Sequence, residues 1–340
     1  MKAVTYTRYG GPEVLRVADV PTPAPGAREV LIRVRAAEAT KSDCEFRSFR
    51  HAVKWTWLPL RIAVGVTGPR RSVLGMYFAG EVVSVGGRVT CFAPGDQVYG
   101  CTGLRLGAYG EYVVLPERAA IGPKPRAMTF AEAAAVPLGG LNALHFLQRA
   151  GIKPGEQVLV NGAGGSIGAH AVQIAHSMGA QVTAVDHRLK QELVRRLGAS
   201  DFVDYTIEDV TRTGRRFDVI FDMVAGSPYR SLVGMLQPGG RYLHGNPRLS
   251  VLLRSALTTR FTDKTVTVAF ASETREALAR LTEMIEAGKI QSIVDRIYPM
   301  AEVADAHRRV EAEQRLGAVV ITIDEPSGPP AEGFGHLEHS

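Results

Sequence analysis

The stretch Val158-Leu-Val-Asn-Gly-Ala-Gly-Gly-Ser-Ile-Gly168, followed by Gln181-Val-Thr-Ala-Val-Asp186, constrains this chain more than any other. Val158, Leu159 and Val160 form a short β-prone apolar run, suited to a strand buried on both faces. Gly162, Gly164, Gly165 and Gly168 then let the backbone turn sharply, approach a pyrophosphate closely and pack tightly beneath a helix. That helix is predicted over Ser166–Met178, with Ile167 in its first turn. Its amide-rich N-terminus faces the phosphates, and Gly179 ends it. A second strand, Gln181–Val185, delivers Asp186, eighteen positions after Gly168. In dinucleotide sites an acid about 20 residues on binds a ribose hydroxyl. A glycine turn alone is weak evidence. Strand, turn, helix, second strand and acid in register point to a dinucleotide, and so to redox chemistry on a small molecule.

The rest of the chain organises around this unit. Residues 1–125 carry short β-prone runs broken by Gly and Pro, such as Glu29–Arg35, Gly80–Val85 and Glu111–Leu115. Val30, Ile32 and Val34 alternate with Leu31, Arg33 and Arg35, the pattern of a half-buried antiparallel strand. From about residue 126 to 268 the pattern is αβ alternation, the mark of a doubly wound parallel sheet. Thr129 with Glu132 reads as a capping box, a helix is predicted from Leu141 to Arg149, and Asp218–Asp222 reads as the fourth strand. Residues 269–323 bring helices at Glu273–Ala287 and Ala301–Glu313 and a last strand, Ala318–Ile323, that should return to the β-rich part. Residues 324–340 have a disordered composition. The expected class is therefore α/β: a mostly β domain plus a parallel-sheet domain.

Composition excludes several alternatives. With 340 residues, 45% hydrophobic and 22% charged, the chain can bury a large core. A net charge of +6, spread without a nucleic-acid motif, argues against nucleic acid and suits an anionic cofactor. Three cysteines, Cys44, Cys91 and Cys101, form no disulfide framework, as in a reducing cytoplasm. Met1 leads straight into a strand pattern, so no signal peptide is expected, and no apolar run reaches about 18 residues, the length of a membrane span.

Further motifs carry a resemblance. Gly10-Gly-Pro-Glu-Val-Leu15, Gly75-Met-Tyr-Phe-Ala-Gly-Glu81, Pro94-Gly-Asp-Gln-Val98, Gly107-Ala-Tyr-Gly-Glu-Tyr112, Pro154–Gly165, Leu197-Gly-Ala199, Pro238–Tyr242 and Gly317–Ile321 together resemble the medium-chain dehydrogenase/reductase superfamily. Its zinc-independent quinone oxidoreductase and enoyl reductase branch is the nearest subgroup. The resemblance spans about residues 1–323. It implies a GroES-like substrate domain, a Rossmann NAD(P) domain, a cleft between them and, commonly, a homodimer.

The resemblance also assigns site residues. The alcohol dehydrogenase branch holds catalytic zinc on Cys, His and Cys. The matching positions here are Thr40, Met76 and Pro137, a poor ligand set, so no zinc is expected. Without a Lewis acid, hydride addition to an electron-poor quinone or α,β-unsaturated carbonyl is favoured. Thr40 is a candidate partner for the substrate carbonyl or nicotinamide ribose, Lys41 for the pyrophosphate, and Asp43 orders their turn. Tyr77 either donates a proton to a developing enolate or simply packs. His51 is a second candidate acid. Asn142, Gly245, Asn246 and Phe270 should border the nicotinamide. Asp186 favours NAD(H), whereas Arg188 and Lys190, with Tyr205 nearby, accommodate a 2′-phosphate; the subgroup leans to NADP(H). The apolar stretch Val53–Val66, with Trp55 and Trp57, and the stretch Leu249–Leu257 either line a pocket for a bulky apolar substrate, together with Tyr109, or form a dimer contact or core. Shallow membrane association is a third option. The resulting expectation is a cytoplasmic NAD(P)H-dependent reductase. Alternatives are a cofactor-bound scaffold or sensor with little turnover, and a biosynthetic enzyme whose hydride transfer triggers a further step.

Overall fold

The computed structural model describes residues 1–50, 61–62, 64–245 and 249–323. His51, Trp55, Trp57, Asn246 and the segment 324–340 lie outside the described residues. The chain opens with β1 (Lys2–Thr5), β2 (Arg16–Asp19), β3 (Glu29–Ala39), α1 (Lys41–Ser48), β4 (Tyr77–Val85), β5 (Gln97–Cys101), β6 (Tyr112–Pro116) and β7 (Ile121–Pro123). The alternation in β3 has the anticipated consequence: Val30, Ile32 and Val34 are fully buried, and β3 pairs antiparallel with β4 and β6.

Two helices follow, α2 (Phe130–Ala134) and α3 (Pro137–Ala150). Thr129 and Glu132 form the expected capping box on α2. Helix α3 begins at Pro137 rather than Leu141, because a proline in the first turn costs no hydrogen bond and is preset to helical φ.

The alternating region comprises β8 (Gln157–Asn161), α4 (Ser166–Ser177), β9 (Gln181–Asp186), α5 (Gln191–Arg196), β10 (Asp201–Asp204), β11 (Phe217–Asp222), α6 (Tyr229–Gly234), β12 (Leu236–His244), α7 (Leu249–Phe261) and β13 (Thr265–Val268). Its strands lie in the order β10-β9-β8-β11-β12-β13, and every neighbouring pair is parallel. Winding therefore reverses between β8 and β11. Such a reversal opens a crevice at the carboxyl ends of the strands. In β8, Val158 and Val160 join the core facing α3 and α4, while Leu159 joins a separate core with Ile220 and Tyr229 on the other face. A strand covered on both sides requires that unbroken apolar run.

The last elements are α8 (Arg275–Glu286), β14 (Val294–Pro299), α9 (Val303–Glu311) and β15 (Ala318–Thr322). β15 pairs antiparallel with β3 and parallel with β14, completing a mixed sheet in the order β14-β15-β3-β4-β5-β7, with β6 also on β3. Helix α8 starts at Arg275, not Glu273, because Thr274 caps it by accepting from the Ala277 amide. Glu273 is thereby left outside the helix. Among the described residues no helix is long and apolar enough to cross a membrane.

Candidate active site

The glycine turn sits at the crevice. Gly162, at φ +80°, swings the chain out of β8, and the amides of Gly162 and Ala163 donate to the Val185 carbonyl at 2.9 and 3.1 Å. A Cβ on Gly168 would lie 2.1 Å from the Gly162 carbonyl oxygen, so only glycine fits under the turn. Gly165 differs: the nearest atom to a Cβ there is 3.7 Å away. Its outer side is open, as an approaching pyrophosphate requires. The first helical bond of α4 runs from Ala169 to the Gly165 carbonyl at 2.9 Å, which leaves the Ser166, Ile167 and Gly168 amides without an acceptor inside the helix. The buried Ser166 hydroxyl lies beside the buried Glu38 carboxyl of β3. Burial pushes the Glu38 carboxyl well above the ordinary range. A helix N-terminus whose first amides have no acceptor within the helix fits a dinucleotide phosphate.

At the far end of the turn, Asp186 is buried, and its oxygens are already engaged. Oδ2 accepts from the Gly164 amide at 2.7 Å, and Oδ1 accepts from the His187 amide at 2.8 Å and lies 3.2 Å from Lys190 Nζ. The Lys190 stem lies over Gly164, where a Cβ would meet its Cδ at 2.3 Å. The carboxylate thus braces the loop and is neutralised by Lys190. Arg188 and Tyr205 are exposed beside it, Tyr205 edge-on to His187.

A second hub, missed from the sequence, ties the switch-point strands together. Asp222, at the end of β11, is fully buried. Its Oδ1 accepts from Asn161 Nδ2 (2.9 Å), the Val224 amide (3.0 Å) and the Ser227 hydroxyl (2.9 Å). Tyr242 donates to Oδ2 at 2.5 Å, and His244 Nδ1 lies 3.4 Å from the same oxygen. Burial alone would raise this carboxyl, but the bonds from His244, Tyr242 and Val224 outweigh it and hold the group below the ordinary range. Gly245 follows at once; a Cβ there would meet Met223 at 2.4 Å. Acids at strand ends are common, so no local pattern singles Asp222 out.

Across from the turn lies the mixed sheet. Lys41 Nζ pairs with Glu313 at 2.6 Å, and a backbone bridge joins Gly165 to Gly317, so the segment before β15 reaches the glycine turn. Thr40 is buried and caps α1. Its hydroxyl donates to Asp43 Oδ2 at 2.6 Å and accepts from the Asp43 amide at 3.0 Å, so its proton is committed to the cap rather than to a substrate carbonyl. Asp43 orders the turn further by accepting from the Gly75 amide at 3.1 Å. Burial pushes it up to about 6, against the bonds from Thr40 and Gly75.

Tyr77 is buried too. Its hydroxyl donates to Glu273 Oε1 at 2.5 Å, and burial, then the nearby Glu273 charge, pushes the phenol well up. Asn142, half-buried, donates to the Leu138 carbonyl of its own helix at 2.8 Å, which spends one of its two amide hydrogens. Phe270 is exposed after β13. Tyr109 does not stand on an open wall: it is fully buried, its hydroxyl 3.2 Å from His307 Nε2. Arg47 Nη1 lies 3.0 Å from the other ring nitrogen, and burial with the Arg47 charge drives His307 down to about 3. Its ring is therefore neutral, accepting from Arg47 and donating to Tyr109. In the Leu249–Leu257 stretch the leucines at 249, 253 and 257 are exposed, so they are not core.

Two family models match the chain: "Alcohol dehydrogenase GroES-like domain" over residues 26–126 and "Zinc-binding dehydrogenase" over residues 197–321. The zinc of the second description finds no donors at Thr40, Met76 and Pro137, which offer a committed hydroxyl, a thioether and no side-chain donor. Among the described residues no group of three or more His, Cys, Asp or Glu could hold a metal ion. A quinone oxidoreductase of Pseudomonas aeruginosa is 33% identical over 342 residues, covering 94% of this chain and 99% of that protein. A 2-methylene-furan-3-one reductase of Solanum lycopersicum is 32% identical over 333 residues, covering 94% and 79%. The solved quinone oxidoreductase from Coxiella burnetii superposes with a TM-score of 0.84 at 27% identity, covering 95% of this chain and 99% of that one. With a doubly wound sheet, an open glycine turn and relatives of this kind along almost its whole length, the chain belongs to the medium-chain dehydrogenase/reductase superfamily, in its quinone oxidoreductase and enoyl reductase branch.

Proposed function

We propose that this protein is an NAD(P)H-dependent oxidoreductase that reduces quinones or α,β-unsaturated carbonyls without a metal. The observation that carries the reading is the glycine turn at the switch point, open at Gly165 and lined by the first amides of α4, which have no acceptor within the helix. When bound there, a nicotinamide coenzyme supplies hydride to the electrophilic carbon of the acceptor. The Ser166, Ile167 and Gly168 amides hold its pyrophosphate, and Lys41, paired with Glu313 in the segment that leads to the Gly317 bridge at the turn, joins them on exchanging that partner. Gly245 and Phe270 border the nicotinamide end. We assign NADP(H) over NAD(H). Lys190 cancels the Asp186 charge that would repel a 2′-phosphate, and Arg188 is exposed to meet it.

The chain's own contribution to the chemistry is orientation and a proton. A quinone leaves a phenolate that takes its proton from solvent. An enone leaves an enolate that needs a donor. Tyr77 cannot serve alone, because its hydrogen is directed at Glu273. The pair serves as a unit when Glu273 is protonated and the bond is reversed: Glu273 donates to the phenol oxygen, Tyr77 turns its hydrogen to the enolate and releases it, Glu273 passes its own proton to the phenolate, and the carboxylate takes a proton back from solvent. Glu273 is suited to this, because burial biases it towards its protonated form. The test is consumption of NADPH and of NADH against a panel of quinones, enones and enoyl thioesters, with and without chelator. Tight coenzyme binding with no acceptor-dependent oxidation would overturn the reading, as would turnover lost on chelation. The reading includes a homodimer in the cytoplasm; sedimentation velocity measures the first.

A further inference from the structure

Lys41 and Glu313 pair at 2.6 Å, and each stands where its own helix disfavours it. Lys41 is the first residue of α1, so its ammonium lies at the positive end of that helix dipole. Glu313 comes just after the last turn of α9, two residues past Glu311, so its carboxylate lies at the negative end. Its backbone is also left-handed, at φ +56°, a conformation that glycine adopts freely and glutamate adopts with strain. The pair does not offset this by stabilising the fold. Its side chains are 58 and 70% exposed, and exposed ion pairs contribute little.

Nor does the chain between α9 and β15 need Glu313 to hold its course. Asp295 of β14 accepts from Arg309 through both oxygens at 2.9 Å and from the Leu316 amide at 2.8 Å, which fixes that segment at both ends. What surrounds Glu313 is positive charge. The bond from Lys41 holds its carboxyl below the ordinary range against partial burial, and the Lys41, Arg315 and Lys190 charges add to this. Four residues on, Gly317 bridges to Gly165, and the Lys190 stem covers Gly164, so these cations gather at the glycine turn. A residue that breaks local rules of charge and backbone beside such a turn marks a functional position.

On the reading that a coenzyme sits at this turn, we propose that Glu313 is a resident counter-ion that competes with the coenzyme pyrophosphate for Lys41. Binding then exchanges one anion for another at the same ammonium, and affinity is lower than the amides of α4 and the lysine would give by themselves. The return of Glu313 to Lys41 speeds release of the oxidised coenzyme, a step of the kind that limits many turnovers.

The test is titration of NADPH and of NADP⁺ into the full chain by calorimetry, with dissociation rates from stopped flow. Glu313→Gln should tighten both coenzymes about fivefold, the upper range for an exposed ion pair, mainly through slower dissociation. Lys41→Met should weaken them, and in that background most of the Glu313→Gln gain should vanish. The gain should also shrink as salt is raised. Glu313→Gly should melt no lower than the native chain, since glycine suits the left-handed position; a clear drop would assign the pair to the fold instead. Unchanged or weaker binding in Glu313→Gln overturns the proposal. So does an equal gain with and without Lys41, which would be a general effect of charge. If neither coenzyme binds the native chain, the coenzyme site itself falls, and the role of Glu313 with it.

Discussion

The phenol of Tyr77 donates to Glu273 at 2.5 Å across 196 positions of sequence. Tyr77 begins β4 in the mixed sheet, and Glu273 sits in the link between β13 of the parallel sheet and the cap of α8. The bond therefore ties the mixed sheet to the segment that leaves the parallel sheet. Burial biases both groups towards their protonated forms, and Cys101, also buried, adjoins the same carboxyl.

Glu273→Gln should lower kcat for enones by roughly a hundredfold, the low end of what a positioned acid contributes, while quinone reduction changes little. Tyr77→Phe should do the same. Steady-state rates on matched enone and quinone substrates, with solvent isotope effects, check this. Equal loss on both substrates would show that the pair only packs.

Gly165→Val should abolish coenzyme binding and leave the fold intact. A Cβ there finds no atom within 3.7 Å, so the protein has room for it, but the space it takes is where a pyrophosphate approaches. Calorimetric titration with NADPH, beside a melting curve, separates the two effects. Undiminished affinity would displace the site from this turn.

Arg188→Ala should weaken NADPH about tenfold, equivalent to about 1.4 kcal/mol, and leave NADH unchanged. The residue is exposed, so stability should not move. Dissociation constants for both coenzymes decide it; parallel losses would mean that Arg188 does not meet the 2′-phosphate.

The buried His307 predicts a pH dependence of stability. Its ordinary value of 6.5 is lowered in the fold to about 3, by burial first and then by Arg47. A depressed value means that the unfolded chain binds the proton first. The stabilisation is complete above about 6.5 and is lost as pH falls towards about 3. His307→Gln keeps an acceptor for Arg47 and a donor for Tyr109. It should flatten that acid slope while costing about 1–3 kcal/mol at neutral pH. Melting temperatures of both proteins across this range test it; identical slopes would remove His307 as the cause.

Much of the nucleotide half was legible locally. The turn from Gly162 to Gly168, the strands around it and Asp186 each carry a signal within a few residues, because tight turns admit only glycine and doubly covered strands must be apolar throughout. The half-buried strand β3 and the Thr129 cap were readable for the same reason: period and capping are short-range properties. The mixed-sheet side of the site was less so. Thr40 and Tyr77 were picked out by position, yet their hydroxyls proved to be directed at Asp43 and Glu273. Asp222 and Glu38 gave no sign at all, since a carboxylate at a strand end looks alike whether it is solvated or enclosed.

Sequence by itself determined the kind of ligand this chain is built to hold and the order of the elements that hold it. Those properties follow from backbone freedom and hydrophobic period, which neighbours along the chain impose. Only the tertiary structure decided which polar atoms meet: Tyr77 with Glu273, Lys190 over Gly164, His307 between Arg47 and Tyr109. A hydrogen bond is made at about 3 Å in space, and separation along the chain says nothing about it.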